Sequence, residues 1–481
     1  MLMRKFGGIA LPKFLTVTTA SRLSVWRASG IVNLGDELIW NASQGTPPSA
    51  VGNTPSFNLV GTTGNTTVTV ENSENISQIQ FIGGGLINSI DVTQCPNLTY
   101  LNTRQNLNLP VIDTSQNPLL NSYWVYQNQM TAVGFDISNN MLLSDIRNYI
   151  NPLIGYRPYH LYTELTVLQC HTTNLGSINT APLTKLTNLW VASNGLTSLS
   201  VSTLINLTYL SCESNPLTAL DVTNNLLLTT LIFNNTDITS INLINNTELL
   251  TFNCYATKLT TLDLSTNTKL KTLNIGSIST YTGILDLSNN LDLISLTTIN
   301  TLLTTLDLSL HTKLTYIEIS NCGLSVINVL ANLNLGDLRC VTNSFTSLIL
   351  ANLTKIFRLF CNNNIMTYLD LTNTPALTTL RCEVNNLTTL DLSWNPLLSY
   401  LHCYSNNIVG LRLNTNPKIN VCLVFANNMS ASDTDQIYID LASGNVRSGN
   451  LQIRNNRTSA SDTARATLVG WGWTFNETYT T

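Results

Sequence analysis

Residues Leu377–Leu397 read LTTLRCEVNNLTTLDLSWNPL, and Leu398–Lys418 follow as LSYLHCYSNNIVGLRLNTNPK, two consecutive segments in one 21-residue frame. The apolar positions coincide: Leu377 with Leu398, Leu380 with Leu401, Cys382 with Cys403 and Leu390 with Leu411. Carried outward, the frame places coil starts at Ile76, Leu98, Leu120, Leu142, Leu165, Leu186, Leu207, Leu228, Leu249, Leu270, Leu293, Leu314, Leu335, Ile356, Leu377, Leu398 and Ile419. A fixed period near 20 residues is the mark of a stacked-repeat architecture. One such unit cannot bury its own leucines, so neighbouring copies must share a continuous core.

The pattern Leu377, Leu380, Cys382, Asn385, Leu387 resembles the leucine-rich-repeat signature, with Cys382 in the place of the third leucine. The second half of the unit, Leu390, Leu392 and Asn395, resembles the short bacterial type of that family. The resemblance spans residues 76–429 and implies a β-rich solenoid of about 17 coils, with a parallel β-sheet along its concave side. Asn215, Asn343, Asn364, Asn385, Asn406 and Asn427 recur where the chain leaves each strand, and their amides are expected to satisfy backbone groups there. Cys340, Cys361, Cys382 and Cys403, with Cys170, Cys212 and Cys254, fall in one inward column and read as buried, reduced thiols. No pair has metal-ligand spacing.

Both ends depart from the period. Residues 1–75 carry Trp26, Trp40 and frequent turn residues, and read as a small β-rich head that caps the first coil or attaches the solenoid to something larger. Residues 430–481 read as an α/β cap: a helix N-capped by Ser432 and stopping near Gly444, a strand in GNLQIRNN, a second Ser-capped helix, and a closing strand at WTF. Trp471, Trp473 and Phe475 are expected to cover the last coil. This cap resembles the C-terminal segments of leucine-rich-repeat proteins of tailed phages.

Only 10% of the 481 residues are charged, against about 25% in an average soluble protein. The net charge of −4, from 23 basic and 27 acidic residues, argues against nucleic acid as a partner. No apolar run approaches the roughly 20 residues that span a bilayer, so no membrane insertion is expected. Pro12 and Lys13 interrupt the apolar start of the chain, and an export signal is not expected either.

Four histidines, His160, His171, His311 and His402, belong to no nucleophile or metal constellation; the chain reads as a non-enzyme without cofactors. Asp221, Asp263, Asp286, Asp307, Asp370 and Asp391 form an outer column, expected to be solvated hydrogen-bonding carboxylates rather than Ca²⁺ sites or catalytic pairs. The concave face should carry Trp124, Tyr126, Trp190, Tyr209, Tyr255, Tyr316 and Arg339. Its densest patch, and the expected binding site, is Arg358, Phe360, Arg381, Glu383, Tyr400, His402, Tyr404 and Phe425. Outward aromatic rings beside charged groups suit a glycan or a protein loop. The functional expectation is a structural and binding protein of a phage virion or tail-like particle. Residues 1–75 would contact other particle proteins and the concave face a host surface glycan or protein. The alternatives are a secreted bacterial adhesin at the cell surface and a cytosolic scaffold; a homo-oligomer is compatible with each.

Overall fold

The computed structural model describes residues 76–80, 87–131, 134–151, 157–278, 280–281, 284–444, 446–454 and 456–477, and the backbone of six strands between Phe14 and Glu71. The chain forms two compact units, residues 1–230 and 231–481.

In the first unit, Phe14–Ala20 pairs antiparallel with Asn65–Glu71 and with Ile87–Asp91, and Trp40–Ala42 adds to Asn65–Glu71. Ile87–Asp91 therefore joins the N-terminal sheet although it lies within the first expected coil. The turn-rich residues 45–55, and with them the attachment reading of the head, lie outside the described residues. From Ile76–Gln80 onward the strands stack parallel and in register: Ile79 beside Leu101, Leu101 beside Tyr123, Ile146 beside Leu168, Leu168 beside Leu189. One coil start needs correction. Leu143, not Leu142, points inward, being 0% exposed against 50% for its neighbour.

The second unit repeats this plan in nine three-residue rungs, from Thr251–Asn253 to Val421–Leu423. Two rungs from the cap, Asn450–Gln452 and Thr474–Asn476, extend the same parallel sheet beyond Val421–Leu423. The strands of all 17 expected coils are present in this β-solenoid. Among the described residues no helix is long and apolar enough to cross a membrane.

The repeat sequence explains the coil. In Leu377–Leu380–Cys382 the alternation of a strand turns Leu380 and Cys382 inward, all three at 0% exposure, and Arg381 outward. Val384 then takes φ 55°, a left-handed conformation costly for a β-branched residue. It is held there because its N–H donates to Tyr404 O at 3.0 Å and the next side chain, Asn385, is tied down. Asn385 Nδ2 donates to the carbonyls of Cys361 and Cys382, both at 3.1 Å, and its Oδ1 accepts from Met366 N–H at 3.0 Å. Asn364 and Asn406 repeat these bonds one coil away on either side. A second amide column, unforeseen in the sequence, bridges the outer turns: Asn395 to Leu371 and Thr374, Asn416 to Leu392 and Asn395.

In residues 430–477 two helix caps differ from the sequence reading. Helix α1, Ala431–Ser443, is N-capped by Ser430 rather than Ser432, in a reciprocal box with Asp433. Helix α2, Asp462–Gly470, follows Ser461, whose hydroxyl donates to the buried Asp435 at 2.6 Å instead of capping. Trp473 is buried, and its Nε1–H donates to Val446 O at 2.9 Å. Trp471 stays half-buried beneath Arg447.

Candidate functional site

Each three-residue strand turns its first and third side chains outward, and the second residue after the strand points the same way. The sheet face of the second unit is therefore a grid of three columns. One holds Tyr316, Asp337, Arg358, Thr379 and Tyr400; the next, Glu318, Arg339, Phe360, Arg381 and His402; the third, Asn362, Glu383, Tyr404 and Phe425.

The grid brings the eight expected binding residues together, and seven of them are half-buried at the surface. Glu383 is the exception. The sequence reading displayed its carboxylate to solvent, but the side chain is 1% exposed. Arg381 folds back onto it because a charge on a crowded sheet face is cheaper to hold when paired. Asp337 is covered in the same manner: it accepts from Arg339 Nε and Nη2 at 3.1 and 3.0 Å and from Arg358 Nη1 at 2.7 Å.

Phe360 sits amid these arginines, its ring centroid 5.4 Å from Arg339, 5.9 Å from Arg358 and 5.4 Å from Arg381, within cation–π range. Tyr400 packs on His402 at 4.3 Å, and Tyr404 stacks on Phe425 at 4.5 Å with planes 7° apart. Burial, reinforced by the Arg381 charge, pulls the His402 pKa down to about 4, so the ring is neutral at pH 7. Tyr316 donates its hydroxyl to Glu318 and lies under Arg339 at 5.2 Å. Tyr255 lies so close over Gly276 that a Cβ there would sit 2.8 Å from its ring.

The first unit carries its own aromatic row. Tyr126, Tyr149, His171 and Trp190 follow one another at 4.2, 4.2 and 4.8 Å, and Trp190 reaches Tyr209 at 6.0 Å. Arg147 covers Trp124 at 4.0 Å, and Arg104 Nη1 donates to the Tyr126 hydroxyl at 2.7 Å. Tyr149 was missed because a coil start at Leu142 puts it at the turn position of Val384; Leu143 puts it in the sheet-face column of Glu383. His171 was legible as an outward residue six after Leu165, and its pKa falls to about 4 through burial.

The outer aspartates serve their own turns: Asp370 accepts from Thr372 N–H at 3.0 Å, and Asp391 from Ser393 N–H at 2.9 Å. Bonds from the backbone and side chain of Thr372 to Asp370, and from the side chain and backbone of Ser393 to Asp391, hold both carboxyls below the ordinary aspartate value. On that outer side a cleft of about 450 Å³ is lined by Ile284, Leu287, Leu310 and Val326 together with Asp286 and Asp307.

No family model matches the chain, and no curated protein matches it in sequence. Solved structures do. The functional domain of InlJ from Listeria monocytogenes, described as including a cysteine ladder, is 24% identical with a TM-score of 0.60, over 80% of this chain and 76% of that one. A leucine-rich-repeat protein of Leptospira interrogans is 16% identical with a TM-score of 0.57, over 73% of this chain and 90% of that one. The leucine-rich-repeat ectodomain of the Arabidopsis thaliana receptor kinase GASSHO1/SCHENGEN3 is 18% identical with a TM-score of 0.59, over 84% of this chain and 58% of that one. With its 21-residue coils, inward cysteine column and amide ladders, the chain has the fold of the leucine-rich-repeat proteins.

Proposed function

We propose that the chain is a non-enzymatic binding protein that takes its ligand on the outward face of the parallel sheet, between Arg358 and Phe425. The observation that carries this reading is the grid itself, where guanidinium groups and aromatic rings crowd a surface whose outward strand positions between Thr230 and Thr297 are filled mainly by Thr, Ser and Asn. The similar plant ectodomain was solved in complex with CASPARIAN STRIP INTEGRITY FACTOR 2, which supports a ligand-carrying role for a solenoid of this build.

The setting we propose is an extracellular particle, a phage virion or tail-like assembly. Residues 1–75 attach the chain to other particle proteins, and the sheet face meets a host surface glycan or protein. The low charge and the resemblance of the helix–strand–helix–strand cap to phage proteins support it. The rival setting, a bacterial cell surface, draws on the Listeria and Leptospira structures.

Two experiments test these statements. Tyr400→Ala with Arg358→Ala is expected to abolish attachment to host cells, and unchanged attachment removes the sheet-face reading. Mass spectrometry of washed particles and of the cell envelope is expected to find the chain in particles, in fixed ratio to other particle proteins. Recovery from the envelope alone establishes the rival setting.

A further inference from the structure

Within the binding reading, on which this inference rests, we propose that the region centred on Phe360 takes an anionic saccharide. Its carboxylate or phosphate is held by Arg339, Arg358 and Arg381, and its hydroxyls by the polar groups beside them.

The charges at this place are formally balanced once Glu318 is counted, but they are not equally presented. The side chains of Arg339, Arg358 and Arg381 are 28%, 36% and 35% exposed, whereas those of Asp337 and Glu383 are 7% and 1% exposed. A ligand meets guanidinium groups with their counter-ions tucked beneath. Asp337 takes only Nε and Nη2 of Arg339 and Nη1 of Arg358, and Glu383 only Nε and Nη2 of Arg381. Arg339 Nη1 and Arg358 Nη2 keep donors for an incoming anion, the group that a guanidinium fork matches, while Arg381, which also bonds the Tyr404 side chain, adds its charge.

A saccharide fits better than an acidic peptide because the same place also lacks donors. Glu383 Oε2, Asn362 Oδ1 and His402 Nδ1 are buried without a hydrogen-bond partner, and they are neighbours in the grid. Buried polar atoms are rarely left so. Sugar hydroxyls both donate and accept and can serve carboxylate, amide and guanidinium groups together. Their apolar ring faces pack on rings such as Tyr400. A glutamate-rich peptide supplies the carboxylates but only sparse backbone donors. Because these atoms are buried, engaging them requires neighbouring side chains to move aside.

Calorimetry on the full chain tests this with four probes: oligogalacturonate, a phosphorylated oligomannoside, neutral maltohexaose and poly-glutamate. One of the two charged saccharides is expected to bind at least about tenfold more tightly than maltohexaose and than poly-glutamate, and which one it is identifies the anionic group. Arg358→Gln leaves Asp337 its two bonds from Arg339, so the fold is kept, and it is expected to weaken that binding about tenfold. Phe360→Leu should weaken it by a similar factor. Binding that survives both variants, or tighter binding of poly-glutamate, overturns the inference. Failure of both charged saccharides, while host attachment still depends on Tyr400 and Arg358, overturns it and leaves the binding reading standing. Attachment indifferent to those residues overturns the reading itself.

Discussion

Arg381 donates from both Nε and Nη2, at 2.9 and 2.5 Å, to one oxygen of Glu383, while the other oxygen is buried without a partner. Removing the guanidinium therefore leaves a buried carboxylate uncompensated. Arg381→Ala is expected to lower stability by about 3 kcal/mol, at the low end for breaking a buried pair because the arginine is itself partly exposed to water. Arg381→Ala combined with Glu383→Gln should recover most of that loss. Urea unfolding of the two variants decides the point: equal losses would mean that the pair carries no coupling.

Asn385 is expected to matter more than any outer aspartate. Asn385→Ala orphans the Met366 N–H and two carbonyls inside the coil, and a cost of about 2–4 kcal/mol is expected. Asp391→Ala removes a carboxylate whose turn faces solvent, and a change of about 0.5 kcal/mol is expected. Because solenoid stability is carried by nearest neighbours, hydrogen exchange should accelerate at the Met366 amide and leave the coil at Leu270 unchanged.

The coils were legible because their leucines repeat with a constant period, and the inward Cys column because a strand alternates faces. What failed was local. A 23-residue spacing after Leu120 offers two adjacent leucines, and only packing shows that Leu143 is the buried one. That single slip hid Tyr149 and with it the continuity of the first aromatic row. Ser430 competes with Ser432 as a cap, and reciprocity with Asp433 settles it. The outward placement of Arg381 and Tyr400 followed from strand parity. The collapse of Glu383 beneath Arg381 did not, because it depends on side-chain pairing that no period encodes.

The cysteines give a chemical test of the core. All ten are buried and none forms a disulfide, and in the later coils burial pushes the thiols up, to about 12 at Cys340 and Cys422 and higher along Cys361, Cys382 and Cys403, where neighbouring thiols and Glu383 add repulsion. Thiolate is the reactive form, so the native chain at pH 8 should be inert to Ellman's reagent. In denaturant without reductant it should release ten equivalents. Each disulfide in the Cys340–Cys403 column would remove two from that count, and prompt native reactivity would contradict the burial.

The sheet-face histidines predict how acid acts on the protein. His171 and His402 have pKa values lowered by burial to about 4 from an ordinary 6.5. The unfolded chain therefore binds more protons than the native one between those values, and stability falls as pH drops from 6.5 through 4. The outer aspartates, with Asp221 and Asp370 held below 3.8 by bonds from Thr223 and Thr372, lose their contribution only at lower pH. Glu213, raised by burial, works in the opposite sense near its own range and softens the decline in the first unit. Thermal midpoints should therefore decline from pH 6.5 to 4.5 in the wild type. The decline should be clearly shallower in His171→Gln/His402→Gln, while the steeper loss below pH 4 persists in both. An unchanged slope in the double variant between pH 6 and 5 would show that these rings are solvated, and that the packing of Tyr149 and Tyr400 against them does not set their charge.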